Sequence, residues 1–372
     1  MERVISFIKK EAVLTIALLL ALISSFVVKP SKEYMNYIDY HVIVLLFALM
    51  LVVGGLKSLG VFRLLGEKMC RKVHSLRGLT IVLTCLCFFT SMLITNDVAL
   101  ITFVPFTISV FCMISCEDRL IPVVVLETIA ANLGSMLTPI GNPQNLLLYS
   151  MSGMNVLQFV LHMIPLTLIS FVLILICICR IKSQQIQLAE DKTQTQKNVF
   201  TDYRFWIYVI LFLVCMGNVF HLYSYWVVLV IVTVAVFLLN RSLFAEVDYS
   251  LLLTFIGFFI FIGNMKQIDS VNTVLMQAIT GNELLMGILA SQVISNVPAA
   301  MLLSGFTTKY GVLLYGVNIG GLGTLIASMA SLISYRFFVK AYPQQKSKYF
   351  RQFTVYNVVL LVIITAITML AL

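Results

Sequence analysis

The sequence predicts an all-α polytopic membrane protein built from two inverted-topology repeats, each with a re-entrant hairpin and a broken transmembrane helix. First, 60% of the 372 residues are hydrophobic, 11% are charged and the mean hydropathy is +1.01, whereas soluble domains carry roughly 25% charged residues. Second, two kinds of polar interruption each occur twice within the apolar runs. Third, Lys and Arg lie at the ends of these runs, so the net charge of +9 does not indicate a nucleic-acid partner.

The longest apolar runs predict full crossings of the bilayer. A helix needs about 20 apolar residues, within a range of about 17–25, to cross the hydrocarbon. Runs of this kind lie near residues 12–28, 40–56, 156–180, 205–221, 223–240, 249–265 and 354–372. A cleaved signal peptide is the alternative for the first run, because basic residues precede it.

The first kind of interruption predicts a hairpin tip near the membrane midplane. Thr95, Asn96 and Asp97 separate the arms of a hairpin over 79–114, and Ser295 with Asn296 separates the arms of another over 283–308. Because each arm is short for an independent span, each pair is interpreted as re-entrant.

The second kind of interruption predicts two broken helices, over 120–150 and 311–340. Each segment is too long for one straight span and contains a polar, glycine-containing stretch, at 132–145 and at 318–331. Backbone polar groups released from a helix at this depth need protein or water as partners. Aligning the two stretches matches Asn132 with Asn318, Gly134 with Gly320, Thr138 with Thr324 and Ile140 with Ile326.

The basic residues predict the orientation, because cytoplasmic loops are enriched in Lys and Arg. With a cytoplasmic N terminus and an external C terminus, only Lys29, Lys32, Lys266 and Lys309 lie outside, and the other 21 of the 25 basic residues lie inside. The first hairpin then enters from the cytoplasm and the second from outside. The predicted domains are a first repeat over 1–181, a cytoplasmic linker with an inverting helix over 182–222, and a second repeat over 223–372.

The interruptions supply the chemistry of a transport site. The second arm of a hairpin presents free N–H groups and the positive end of its dipole, which favour an anion, while Asn, Ser and Thr oxygens can bind Na⁺. The alternative is that these residues only cap turns or permit close packing. The candidate substrate and ion ligands are Thr95, Asn96, Asp97, Thr138, Pro139, Gly141, Asn142, Asn145, Ser295, Asn296, Gly323 and Thr324, with Na⁺ expected at Asn96, Asn142 and Asn296.

Two acids at membrane depth, Asp97 and Glu127, are candidates for coupling transport to an ion, because ionisable groups are costly there. His162 is interpreted as a packed or interfacial residue. No nucleophile with a base, phosphate-binding loop or metal-ligand cluster occurs in the sequence, and the eight cysteines contain no C-x-x-C pair. The sequence therefore predicts no enzyme and no cofactor beyond Na⁺ or H⁺ as coupling ion.

Over almost its whole length the chain resembles the ion transporter superfamily of divalent anion/sodium symporters, citrate-transporter-like proteins, arsenite permeases and certain sodium/proton antiporters. The motifs that carry the resemblance are Thr95 to Leu100 with Val104-Pro105, Gly134 to Asn145, and Ile294 to Ala299. The resemblance implies two hairpins and two broken helices around a substrate. It also implies a homodimer in the lipid bilayer that works by an elevator motion.

The motifs depart from those of the symporters, which carry Ser-Asn-Thr at both tips and Thr-Pro after both broken helices. Here the first tip reads Thr-Asn-Asp, nearer the Asn-Asp of arsenite permeases, and Leu325 follows Thr324. The leading hypothesis is a secondary active transporter of a small anion in the cytoplasmic membrane, coupled to Na⁺ or H⁺. An arsenite or antimonite efflux permease and a cation/proton antiporter remain alternatives, and a channel is disfavoured because the polar positions cluster at the breaks.

Overall fold

The computed structural model describes residues 11–70, 73–186 and 199–372, and the secondary structure of these residues is helical apart from an isolated bridge between Ser75 and Gln185. Several basic residues that support the predicted orientation lie outside the described residues: Arg3, Lys9, Lys10, Arg71, Lys72, Lys192 and Lys197. Residues 187–198 of the predicted linker also lie outside them.

The helices of the first half begin with two near the N terminus and continue through the first hairpin and the first broken helix. They are α1 (Ala12–Val27), α2 (Tyr34–Tyr37), α3 (Tyr40–Ser58), α4 (Val61–Cys70), α5 (Leu76–Ile94), α6 (Asn96–Met113), α7 (Leu120–Ser135), α8 (Pro143–Ser152) and α9 (Val156–Cys179). The two interruptions predicted here separate α5 from α6 and α7 from α8.

The second half begins with α10 and contains the second hairpin and the second broken helix. Its helices are α10 (Tyr203–Val219), α11 (Tyr225–Leu239), α12 (Tyr249–Lys266), α13 (Asp269–Ile279), α14 (Glu283–Ile294), α15 (Asn296–Ser304), α16 (Tyr310–Ile319), α17 (Met329–Ala341) and α18 (Lys346–Ala371). The all-α polytopic fold is confirmed. The inverted relation of the two halves and the domain boundaries stay predictions.

The lengths of several helices differ from expectation. The arms α5 and α6 have 19 and 18 residues and are each long and apolar enough to span a membrane, so the expectation that both arms of the first hairpin are too short is wrong. Helix α5 begins earlier than predicted because the Ser75 side chain accepts a hydrogen bond from the Gly78 N–H and caps it. Helix α13 was not predicted, and it meets α14 at an angle of 105°.

Six helices in the described ranges are long and apolar enough to span a membrane, or up to seven if α13 and α14 count as one span. Three predicted crossings form shorter apolar helices, namely α1, α10 and α11, with 16, 17 and 15 residues. At about 1.5 Å per residue these are shorter than the hydrocarbon thickness of about 30 Å.

Helix α7 is the centre of the fold, and every residue in it except Pro122 is buried. It packs along α5 and also contacts α6, α9, α17 and α18. A helix buried on all sides is normally apolar throughout, yet α7 contains Glu127, Thr128, Asn132 and Ser135. Buried polar groups need partners. Thr128 bonds the Val124 carbonyl of its own helix, whereas the partners of Glu127, Asn132 and Ser135 lie in the candidate sites.

Each hairpin packs its first arm against the first segment of the broken helix that follows, α5 against α7 and α14 against α16. A glycine permits each contact. A Cβ atom on Gly134 would collide with the Phe88 carbonyl oxygen, and one on Gly320 would lie 2.6 Å from Ser291 Oγ. Small residues let membrane helices approach closely, so the matched glycines hold equivalent positions at equivalent contacts.

Candidate substrate and ion site

The two hairpin tips have the same unusual backbone conformation. Thr95 has φ 72° and ψ 151°, and Ser295 has φ 74° and ψ 154°. Only glycine adopts this region without strain, and each such residue costs about 1–3 kcal/mol. Strain of this kind persists only where surrounding contacts enforce it, so the tips are held by their neighbours.

Those neighbours are the two broken helices. The Asn96 N–H donates to the Gly141 carbonyl at 3.2 Å, and the Asn296 N–H donates to the Ala327 carbonyl at 2.9 Å. Neither Thr95 nor Ser295 caps its arm with its side chain. Instead, the first amide of each arm is satisfied by a carbonyl from the following break.

Thr138 and Thr324 tie the breaks to the first arms of the hairpins. The Thr138 hydroxyl donates to the Met92 carbonyl, and the Thr324 hydroxyl donates to the Gln292 carbonyl at 3.2 Å. Met92 and Gln292 each precede a hairpin tip by three positions. The Thr138 carbonyl also accepts a hydrogen bond from Asn145 Nδ2 at 3.0 Å, whereas Thr324 is exposed.

The polar centre is a hydrogen-bonded set of side chains from both halves, which we call the central network: Asn96, Asn132, Ser135, Asn142, Asn145, Asn318, Ser328 and Ser331. Asn132 Oδ1 accepts from Asn96 Nδ2 at 3.0 Å and from Ser328 Oγ at 2.9 Å. Asn132 Nδ2 donates to Ser331 Oγ at 3.3 Å. The first broken helix is thus bonded to the first hairpin and to the second broken helix.

Asn318 of the second broken helix makes equivalent hydrogen bonds to the first broken helix. Asn318 Oδ1 accepts from Asn142 Nδ2 at 3.1 Å, and Asn318 Nδ2 donates to Asn145 Oδ1 at 2.7 Å. Under the alignment that matches Asn132 with Asn318, Asn142 corresponds to Ser328 and Asn145 to Ser331. Each asparagine therefore bonds two side chains of the opposite break, and these pairs correspond.

Eight helix ends lie at the four interruptions. Helices α6, α8, α15 and α17 begin there, and α5, α7, α14 and α16 end there. Asn142 caps α8, because its Oδ1 accepts from the Asn145 N–H at 2.8 Å. The N-terminal ends attract negative charge and the C-terminal ends attract positive charge, so one region presents both kinds of electrostatic partner.

The other predicted residues lie around this centre. Pro139 and Gly141 are buried in the first break, and Gly323, with φ 101°, turns the second break beside Gln292. Asn296 is buried with its Nδ2 next to Gly321, and its side chain takes no part in the central network. Asp97 is partly buried, and its N–H donates to Asn96 Oδ1 at 2.9 Å.

Ser295 of the second tip lines a crevice that is also lined by two acidic side chains. Its lining includes Glu11, Asp248, Thr254, Ser295, Pro298 and Met329. Glu11 and Asp248 lie at the N-terminal ends of α1 and α12. Asp248 also lies within electrostatic range of Asp97. The crevice therefore extends from two helix ends to one of the tips.

Five members of the central network, and also Gln292, are not among the candidate ligands that the sequence predicts. Those five are Asn132, Ser135, Asn318, Ser328 and Ser331. Their signal was present, because Asn132, Asn318 and Ser331 bound the polar stretches. Gln292 donates from Nε2 to the Gly320 and Leu322 carbonyls at 2.9 and 3.0 Å, and its signal is a single amide inside an apolar arm.

Comparison with known proteins shows the family to which the chain is similar. A family model described as citrate transporter matches residues 4–310. The chain is 34% identical to the inner membrane protein YbiR of Escherichia coli over 318 residues, which are 84% of each chain. It is 34% identical to the uncharacterized transporter MJ0456 of Methanocaldococcus jannaschii over 330 residues, 87% of each chain. A shorter match, 33% identical over 128 residues, covers 34% of the chain and 26% of the silicon efflux transporter LSI3 of Oryza sativa subsp. japonica.

Proposed function

The chain belongs to the citrate transporter family, and on that premise we propose that it is a secondary active transporter that moves a small anion across the cytoplasmic membrane, coupled to Na⁺ or H⁺. The observation that carries the proposal is the central network, in which Asn132 and Asn318 join both broken helices at the point where eight helix ends meet. Interrupted helices of this kind form the substrate and ion sites of secondary transporters.

The anion is proposed on electrostatic grounds. The central network consists of Asn and Ser side chains and contributes no basic group. An anion here would be bound by the N-terminal ends of α6, α8, α15 and α17 and by side-chain amides, with a co-bound cation offsetting its charge. For a cation, the amide oxygens of Asn96 and Asn142 each accept one backbone hydrogen bond and retain a second lone pair. Asn296 would supply the third expected oxygen.

Access to the site is proposed from the cytoplasm. In the predicted orientation the N-terminal ends of α1 and α12 face the cytoplasm, so the crevice between them and Ser295 opens to that side. Movement of the hairpins and breaks against the other helices would close the crevice and expose the site outside, as the elevator motion implied by the resemblance requires.

We also propose that the protein is a homodimer. The mass of the purified protein in lipid nanodiscs tests this proposal.

One observation favours a second candidate function, which is the efflux of arsenite in its neutral form, arsenous acid. Hydroxyl and amide groups without a basic partner suit an uncharged solute with several O–H groups, and the Thr95-Asn96-Asp97 tip resembles the arsenite permeases. The similarity to LSI3 covers only a third of the chain.

A thermal-stability screen of the purified protein separates these functions, because a ligand that binds the folded state raises its stability by about 2.7 kcal/mol at 100 times Kd. Citrate, succinate, sulfate, phosphate and arsenite are each added in Na⁺ and in choline buffers of equal ionic strength, at neutral and acidic pH. We expect one anion to stabilise the protein more in Na⁺ or at acidic pH. Stabilisation by arsenite alone supports efflux, and stabilisation by Na⁺ with no anion effect supports an antiporter; either result would exclude the coupled anion transporter.

A further inference from the structure

Glu127 is a carboxyl group enclosed within the helix bundle and satisfied at only one oxygen. Its side chain lies in α7 and is 0% exposed. Thr107 of α6 donates a hydrogen bond to Oε1 at 2.5 Å, while Oε2 is buried and has no hydrogen-bond partner among the described residues. A carboxylate without partners is very costly in such surroundings. Helix packing alone gives no reason for a glutamate here.

Glu283 shows what a purely structural glutamate looks like in this fold. It is 2% exposed, and Thr307 donates to its Oε1 at 3.1 Å. Thr307 lies in the second hairpin at the position that Thr107 has in the first. The Gly281 N–H donates to the other oxygen, Oε2, at 3.1 Å. Both oxygens of Glu283 are thus paired, and the free oxygen of Glu127 distinguishes the two.

Among the residues that the structure describes, the titratable side chains within electrostatic range of Glu127 carry no positive charge. They are Cys70, Cys87 and Tyr349, from the end of α4, from α5 and from α18. Thiols and phenols are neutral at pH 7 unless strongly perturbed. Tyr349 is 0% exposed and lies near Thr128. These neighbours can accommodate a neutral carboxylic acid.

We propose that Glu127 binds and releases a proton at Oε2 and forms a proton site separate from the central network. Binding makes one O–H bond and converts the carboxylate into a carboxylic acid, and release reverses the step. Glu127 lies five positions before Asn132, which is about 7.5 Å along the helix axis. Both residues belong to the same rigid segment of α7, so a change of charge at Glu127 acts on the helix that holds the central network. Only the use of this proton site to couple transport to a proton gradient depends on the proposed function.

The test is an infrared pH titration of the full-length protein in lipid nanodiscs, without any substrate. A protonated carboxyl in an apolar site has a C=O stretching band that disappears when the proton leaves. We expect one such band to titrate in the wild type, to be lost in Glu127→Gln and to be retained in the matched variant Glu283→Gln. A titrating band that survives in folded Glu127→Gln, or no titrating band in the wild type, would overturn the proposal.

A second variant keeps the test decisive if Glu127→Gln does not fold. Thr107→Val removes the donor to Oε1, so the same C=O band should move to higher wavenumber, because hydrogen bonding weakens the carbonyl bond. A titrating band at an unchanged wavenumber in this variant would contradict the assignment to Glu127. Since no substrate or gradient is present, failure here leaves the transport proposal intact, and a negative result in the ligand screen leaves this band unaffected.

Discussion

Asn132 and Asn318 occupy matched positions in the two broken helices, and each hydrogen-bonds two side chains of the opposite break. Asn132 bonds Ser328 and Ser331, while Asn318 bonds Asn142 and Asn145. These bonds join residues that are 173 to 199 positions apart in the sequence. Local helix formation cannot produce them, so they report how the two halves of the chain are assembled.

The first prediction is that Asn132→Ala lowers the free energy of unfolding by about 1–3 kcal/mol, because it leaves buried polar groups without partners. The matched control is Asn357→Leu. Asn357 is also buried, but its Nδ2 donates only to the Phe353 carbonyl in its own helix and its Oδ1 is unpaired. Its replacement should cost less. Denaturant titration in mixed micelles measures the free energy of unfolding of both variants. Equal losses in the two variants would mean that the hydrogen bonds between the halves stabilise the protein no more than a hydrogen bond within one helix.

The second prediction concerns affinity at the two tips. Alanine at Asn96 or at Asn296 should weaken binding of the anion found in the ligand screen roughly five-fold to more than a hundred-fold, since a lost buried polar contact costs about 1–3 kcal/mol. Calorimetric titration in Na⁺ buffer is the measurement. Asn155→Ala serves as control, because Asn155 caps α9 at an exposed position. Unchanged affinity in both tip variants would restrict these residues to a structural role.

The third prediction is that Asp97→Asn abolishes the dependence of transport on the Na⁺ or H⁺ gradient while the protein stays folded. The substitution nearly preserves shape and removes the charge beside the first tip, where Asp97 accepts no side-chain hydrogen bond from the described residues. Uptake into proteoliposomes with imposed gradients tests this. Asp269→Asn is the control, since Asp269 is also in the first turn of a helix but is exposed. Unaltered ion dependence in Asp97→Asn would place the coupling site elsewhere.

The fourth prediction follows from the backbone at the first tip. Thr95→Gly should raise the free energy of unfolding by up to about 2 kcal/mol, because glycine adopts φ 72° and ψ 151° without the steric cost of about 1–3 kcal/mol, less its greater loss of backbone entropy. Thr90→Gly, in the helical part of the same arm, should destabilise the protein instead. A loss of stability in Thr95→Gly would show that its side-chain packing outweighs the strain.

The fifth prediction is the orientation of the chain. On a cysteine-free background, Lys32→Cys should react with a membrane-impermeant thiol reagent added to intact cells, and Lys182→Cys should react only after the membrane is opened. Both positions are exposed in the structure, so burial does not explain a difference in labelling between them. Labelling of position 182 from outside would reverse the predicted orientation, which depends on the distribution of Lys and Arg.

The sequence by itself determined where the helices stop. A short polar segment inside a long apolar run is a local signal, and the breaks after Ile94, Ser135, Ile294 and Ile319 all occur where such a segment begins or is already under way. The same local reasoning failed at two elements whose local signals are weaker than an apolar run. The length of α5 depends on the Ser75 cap, and α13 was hidden because it is short and only partly apolar.

Only the tertiary structure decided which polar side chains meet. The sequence predicts Thr138 and Thr324 as ligands, and the structure shows that their hydroxyls bond carbonyls of the first arms. Asn132 and Asn318, which the sequence marks only as limits of the breaks, form the centre of the hydrogen-bonded network. The reason is physical. Apolar periodicity is a property of neighbouring residues, but a hydrogen bond requires two groups within about 3 Å, and for distant residues the packing of whole helices sets that distance. The free oxygen of Glu127 follows from the same packing.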